Sequence, residues 1–345
     1  LGPRLAERTG ARVLLGCTGE SIIGAGREVE NEPALAVWGA SLPGTRLGPF
    51  HATAEPGPDD RAVFSTLPDV RDPGRASLLM VADPFSFPMD EYLQRLNEDL
   101  PGVPAVGGMA SGGMGPGQNL LFDAGGLVGE GALGVVLEGG IEVRSVVSQG
   151  CRPIGRPWVV TACQGHLVQR LGGKPALEVL METVQDLEDP DRDLFQRAPF
   201  VGLAVDPTKS VFERGDFLVR GIVGLQPQER SIALADLPRR GMTVQFLVRD
   251  AASAGDDLEA LMRSQGGGAL PGGGSASAGA LLFSCNGRGS RMFETPDHDV
   301  SRVRAGLAAD VPVAGFFAMG EIGPVGGRNF LHGFTASVAV FRPRD

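Results

Sequence analysis

Cysteine is scarce: Cys17, Cys151, Cys163 and Cys285 are the only four in 345 residues, and no two form a CxxC pair. That excludes a zinc ribbon or a thioredoxin-like redox site. Few, scattered cysteines fit a reducing compartment better than a disulfide scaffold, so a cytoplasmic location is expected. Histidine is equally sparse, and His51, His166, His298 and His332 stand apart without metal-ligand spacing. Positive charge is in deficit: 31 basic residues face 41 acidic ones, the formal net charge is −10, and Lys174 and Lys209 are the only lysines. Nucleic acid and anionic membranes call for basic patches, so neither is expected as a partner. No apolar run approaches the ~20 residues of a membrane helix, and no basic segment precedes a signal-like core. Neither GxSxG nor HExxH occurs. The sequence therefore offers no nucleophile elbow and no zincin motif, and no cofactor or catalytic role is expected.

What is plentiful is glycine, 52 residues, about twice the usual share of ~7%. Between the glycines lie many strand-like runs, the clearest at 12–16, 34–40, 77–83, 132–139, 141–148, 156–162, 200–205, 217–224, 243–249, 280–285 and 334–341. Helical periodicity marks 89–100, 174–187, 253–264 and 299–310. The opening LGPRLAERTG reads as a helix closing at Gly10 and suggests residues preceding Leu1. The mixture predicts an α/β to α+β fold. QGGGALPGGGSASAG (265–279) has the composition of a flexible insertion, and it lacks the Lys of a phosphate loop.

VPAVGGMASGGMGPGQN, from Val103, has an echo in VPVAGFFAMGEIGPVGGRN, from Val311. Gly107 aligns with Gly315, Gly112 with Gly320, and Pro116 with Pro324; GCTGES (16–21) is a weaker cousin. Repetition at this separation predicts two related mixed-sheet halves with flanking helices, packed together.

Polar residues gather where apolar strands end. LLFSCNGRGSRMFE (281–294) carries Cys285, Asn286, Arg288 and Glu294, and the later loop carries Glu321, Arg328 and Asn329. Strand ends and glycine turns commonly build small-ligand pockets. An Arg, two carboxylates and an Asn suit a zwitterion such as an amino acid. Arg288 is expected to contact the anion, Glu294 and Glu321 to meet an ammonium or brace that Arg, and Cys285 with Asn329 to shape the wall. The alternative for each is an ion pair pinning two loops. Cys17, at a strand end in GCTGE, is expected to be an inert packed thiol.

These motifs, in this order, resemble the FIST proteins, named from F-box and intracellular signal transduction. The resemblance rests on GCTGE (16–20), VPAVGGMAS (103–111), LGGKPALEVL (171–180), FSCNGR (283–288), Glu294 and GFFAMGEI (315–322). It implies a FIST N-type domain over 1–195, lacking its first strand, and a FIST C-type domain over 196–345. It also implies a non-catalytic module sensing a small polar ligand, with a possible signalling-protein partner. A protein-recruiting module is the alternative, and an exposed patch at Phe316 and Phe317 would favour it. Gly113 stands where the echo has Glu321, so the two halves are expected to differ chemically.

Overall fold

The computed structural model describes residues 1–209, 212, 215–266, 277–307 and 310–344. The glycine-rich insertion expected at 265–279 lies mostly outside them. Its ends are regular structure, since Gln265 and Gly266 finish a helix and Gly279 begins a strand. The chain divides into two compact units, residues 1–148 with 255–345, and residues 149–254. The second stretch interrupts the first in sequence, whereas the sequence reading divides the chain at 195/196.

In the first unit the sheet strands run, in chain order, β1 (Ile22–Gly24), β2 (Arg27–Val29), β3 (Thr45–Ala52) and β4 (Ala76–Ala82). Helix α1 (Met89–Asp99) leads to β5 (Ala105–Met109), β6 (Ala132–Gly139) and β7 (Ile141–Ser148). Then come α2 (Ala251–Gly266), whose first four residues end the second stretch, β8 (Gly279–Cys285), α3 (His298–Leu307) and β9 (Val313–Ala318). The chain closes with β10 (Glu321–Val325), β11 (Arg328–His332) and β12 (Ala336–Pro343).

Two six-stranded sheets result, β3-β6-β4-β5-β10-β11 and β7-β12-β8-β9-β1-β2. They match strand for strand. Each has one parallel pair, β4 with β5 and β8 with β9, joined by a helix, α1 or α3. Every other neighbouring pair is antiparallel. Each sheet finishes with a hairpin from elsewhere in the chain: β10–β11 joins β5, and β1–β2 joins β9. The sequence echo thus marks two related sheets inside one unit.

The aligned glycines serve the same purpose in both. A Cβ on Gly107 would lie 1.8 Å from the Met80 carbonyl oxygen, and one on Gly315 would lie 1.7 Å from that of Leu282. Each parallel pair meets where a side chain cannot fit.

Three apolar layers hold this unit. Tyr92, Leu93 and Leu96 of α1 pack on Leu78 and Met80. Leu258 and Met262 of α2 and Val300, Val303 and Leu307 of α3 pack on Leu282 and Val338. Between the sheets lie Val81, Val106, Val135, Phe283, Phe316 and Phe341. The three helical stripes follow from apolar spacings of three and four. Burial of such side chains stabilises by roughly 1.5–3 kcal/mol each.

The second unit is antiparallel. Its sheet runs through strands 151–164, 243–249, 200–204, 217–226, 231–234 and 167–171, and the 151–164 strand pairs again with 167–171. That second pairing closes a six-stranded ring and leaves no free edge among those strands. Helices Ala176–Gln185 and Asp189–Arg197 complete the unit.

Two expectations fail. Residues 34–40 form no strand. Phe316 and Phe317 are buried, so they supply no exposed patch for a recruiting surface.

Candidate functional site

β8 and β9 run parallel, so their carboxyl ends emerge side by side, with Ser284 opposite Phe317 and Cys285 opposite Ala318. Beyond Cys285 the chain turns back on itself. Asn286 N donates to the Ala318 carbonyl at 3.0 Å, and Arg288 N donates to the Cys285 carbonyl at 2.8 Å. Gly289 allows the turn: its φ is +57°, and a Cβ there would strike Phe317 and Glu30. The turn drives Arg288 into the fold, where it is 0% exposed.

A guanidinium in that position needs an anion, because an unpaired buried charge costs several kcal/mol. Asp299, in the first turn of α3 and also 0% exposed, supplies it. Arg288 Nε donates to Asp299 Oδ2 at 2.7 Å and Nη2 donates to Oδ1 at 2.8 Å, a two-pronged pair. Ser284 Oγ donates to Oδ2 at 2.7 Å, and His298 Nδ1 lies 3.1 Å from Oδ1. Burial alone would push the Asp299 carboxyl up. The Arg288 guanidinium outweighs it, helped by His298 and Ser284, and holds Asp299 well below the usual carboxylate range. The Phe293 ring lies 5.2 Å from the guanidinium and stacks on His298.

Glu321 opens β10, where the chain leaves one sheet for the other across Met319 and Gly320. It too is 0% exposed. Thr335 donates to its Oε2 twice, from N at 3.1 Å and from Oγ1 at 2.8 Å. Burial pushes this carboxyl up to about 8, against the pull of Thr335, Arg288 and the Cys285 thiol. Burial thus favours the neutral acid form of Glu321. Among the described residues no nitrogen or oxygen partners Arg288 Nη1, Glu321 Oε1 or Asn286 Oδ1. Three buried polar atoms with spare capacity therefore lie on two neighbouring strand ends.

An outer layer covers them. Arg291 pairs with Glu20 and donates from Nη1 to the Asn286 carbonyl at 2.7 Å. Glu20 N donates to Ser111 Oγ at 2.9 Å, which anchors GCTGES over the strand ends. Ser290 donates to Glu30 from N and Oγ. The Arg291 side chain is 57% exposed. An ion pair so exposed contributes ~0–1 kcal/mol and opens at little cost.

Three of the five expected site residues converge: Arg288, Glu321 and Cys285. Two do not. Glu294 is exposed and has no ion pair or hydrogen bond among the described residues. Asn329 is buried, and its side chain is already committed. Its Oδ1 accepts from Ala105 N at 2.8 Å and its Nδ2 donates to the Val103 carbonyl at 2.9 Å, which pins β11 to β5. These bonds give Asn329 an architectural role in its sheet.

Asp299, Ser284 and Thr335 were absent from the sequence expectation. Asp299 left one signal: it shares a helix face with Val303 and Gly306, so an acid sat on an inward stripe. Cys17 packs against the core between the sheets, and desolvation pushes its thiol far above the ordinary range, as expected of an inert cysteine. No cluster of three His, Cys, Asp or Glu able to hold a metal occurs among the described residues. No helix among them is long and apolar enough to cross a membrane.

The raised carboxyls set a pH dependence. Glu28, buried beside Asp299, is pushed up to about 7 by burial and then by that neighbouring charge. Between the ordinary value of 4.5 and these raised values the folded chain holds more protons than the unfolded one. Stability is therefore greatest at the acid end of this window and falls as pH rises toward 8, by up to ~1.4 kcal/mol per pH unit for each group. Denaturant unfolding from pH 5 to 8 is expected to show that decline, and Glu321→Gln to flatten it. An unchanged slope in the variant would remove Glu321 as its source.

Fold and site define a two-unit α+β protein with a polar site at the strand ends of its twin-sheet unit. The chain belongs to the FIST family: residues 1–174 match the FIST N domain and residues 176–324 the FIST C domain. These are signal-transduction domains. The chain is 43% identical over 333 residues to the uncharacterized protein Rv0628c of Mycobacterium tuberculosis, covering 95% of this chain and 83% of that protein. It is 42% identical over 328 residues to the uncharacterized protein Mb0898c of Mycobacterium bovis, covering 95% and 82%.

Proposed function

We propose that the chain is a non-catalytic sensory module that binds a small zwitterion, an amino acid being the simplest, at the carboxyl ends of β8 and β9. One observation carries the reading: the fully buried Arg288 and Glu321 each keep one polar atom without a nitrogen or oxygen partner, at the same strand ends. Buried polar atoms are rarely left so, because each unmet hydrogen bond costs ~1–3 kcal/mol. A ligand carboxylate would take the Nη1 edge of Arg288. A ligand ammonium would lie against Glu321, whose carboxyl would ionise on meeting that charge. Entry would require the Glu20–Arg291 pair and the 286–291 loop it holds to open. Binding would then reorder GCTGES and the 286–291 loop, giving a signal with no chemical step. Location in the cytoplasm fits the family's signalling role and the sparse cysteines.

Thermal unfolding with each of the twenty amino acids at millimolar concentration tests this. A ligand at a hundred times its Kd adds ~2.7 kcal/mol to the stability of the folded state. At least one amino acid is expected to raise the midpoint by several degrees in the wild type and not in Glu321→Gln. If none raises it, or if the variant responds equally, the reading fails.

A further inference from the structure

A second site lies elsewhere in the twin-sheet unit, on residues 34–45. The apolar spacing of 34–40 suggests a strand, but those residues find no sheet partner and run as an irregular loop that leads into β3 at Thr45. Trp38 is what it brings to the body. Its ring packs on Phe341 with centroids 4.7 Å apart, and Gly279 leaves the space it occupies, since a Cβ there would meet the ring at 3.0 Å. Beside it opens a cavity of about 300 Å³, walled by Trp38, Leu42, Pro43, Ile141, Phe341 and Pro343, with Thr45 at its side.

None of the residues lining this cavity carries a charge. Two polar atoms do face the problem of burial there. Trp38 Nε1 and Thr45 Oγ1 are both shielded from solvent and have no partner among the described residues. Thr45 as a whole is only 9% exposed. An indole N–H can only donate, and a hydroxyl can donate or accept. The wall thus asks for an acceptor and offers apolar contact around it. An ionised ligand would be buried without a counter-charge, which is costly. Allowing ~30 Å³ for each water-sized group, the space holds about ten heavy atoms.

We propose that this cavity binds a small, neutral, mainly apolar ring compound whose oxygen accepts hydrogen bonds from Trp38 and Thr45. The site is separate from the Arg288–Glu321 cluster and shares none of its residues. The module would then take two ligands of opposite character, one charged at both ends and one uncharged.

The test uses the full chain with Trp158→Phe, so that Trp38 is the sole indole. Acetophenone, toluene and benzoate are titrated while Trp38 fluorescence is followed. Acetophenone is expected to give a saturable change at millimolar concentration or below. Toluene, lacking the acceptor and so both hydrogen bonds, is expected to bind about thirtyfold more weakly, at near 1 kcal/mol for each bond. Benzoate is expected not to bind. In Thr45→Val, which keeps the shape, acetophenone should weaken about fivefold, the worth of one hydrogen bond near 1 kcal/mol, and toluene should not weaken. A thermal melt of each variant shows that it folds, and calorimetry on the chain with both tryptophans gives a readout independent of fluorescence. No saturable response to acetophenone overturns the proposal. So does benzoate binding as well as acetophenone, or Thr45→Val leaving acetophenone unaffected. An amino acid that stabilises the chain without disturbing Trp38 would leave the two sites distinct.

Discussion

Asp299→Ala is expected to destabilise the fold by about 3–5 kcal/mol, because it leaves Arg288 charged, buried and unpaired. The guanidinium has no second carboxylate ready to replace it. Glu321 lies within electrostatic reach, but burial pushes its carboxyl up and favours the neutral form. Drawing Glu321 into ionisation would recover part of the loss, at the expense of charging a group that burial keeps neutral. Ser284 and His298 would also lose the acceptor they share. The pair variant Arg288→Met with Asp299→Leu removes both charges and keeps volume, and such exchanges are often neutral or stabilising. It should unfold near wild-type denaturant concentrations, far from the sum of the single losses. The same variant should lose every amino-acid response, since the anion contact is gone. Chemical unfolding at pH 6 separates the cases. A small loss in Asp299→Ala would mean that the guanidinium has found solvent, and that the site is more open than its burial indicates.

How much of this could be read in the sequence depends on the kind of signal. β4, β6, β8 and β9 stood out as apolar runs because each is buried in a sheet interior, and β7, an edge strand, because Ile141 and Val143 pack into the core between the sheets. α1 and α3 stood out because one face is apolar and the other solvated. β3 was hidden by Gly48 and Pro49, which break a strand pattern. It tolerates them because it is an edge strand, paired only with β6. The two hairpins were hidden too, since their pairing with β5 and β9 comes from distant chain and leaves no local mark. At the site, Cys285, Arg288 and Glu321 were legible because polar residues directly follow apolar strands. Asp299 was not. An acid in a helix's first turn is commonplace at the surface, and only the three-dimensional fold shows that this one is turned inward. Glu294 misled for the converse reason: it follows buried Phe293, but its own side chain points away from the core.

The glycine echo predicts matched penalties. Gly107→Ala and Gly315→Ala should each cost about 3 kcal/mol or more, at or beyond the upper end for overpacking. The obstructing atom in both is a backbone carbonyl oxygen of the adjoining parallel strand, which cannot rotate away as a side-chain tip can. Gly129→Ala is the reference, having open space around its position, and should fall within about 0.5 kcal/mol of wild type. Thermal or denaturant unfolding of the three variants measures the difference. A loss at Gly315 without one at Gly107 would break the equivalence of the two sheets. Equal losses would assign the shared glycines to architecture and leave function to the places where the sheets diverge. At the strand ends that divergence is plain. In register, Asp83 takes the place of Cys285, and Asp83 is engaged with Ser86 and Asn119. β10 begins with Glu321 where its counterpart β1 begins with Ile22. Asp83 is thus closed by its own polar neighbours. Glu321, on the same sheet as Asp83, and Arg288, beyond β8 of the other sheet, keep incomplete hydrogen bonding, and that is where the proposed ligand would have something to add.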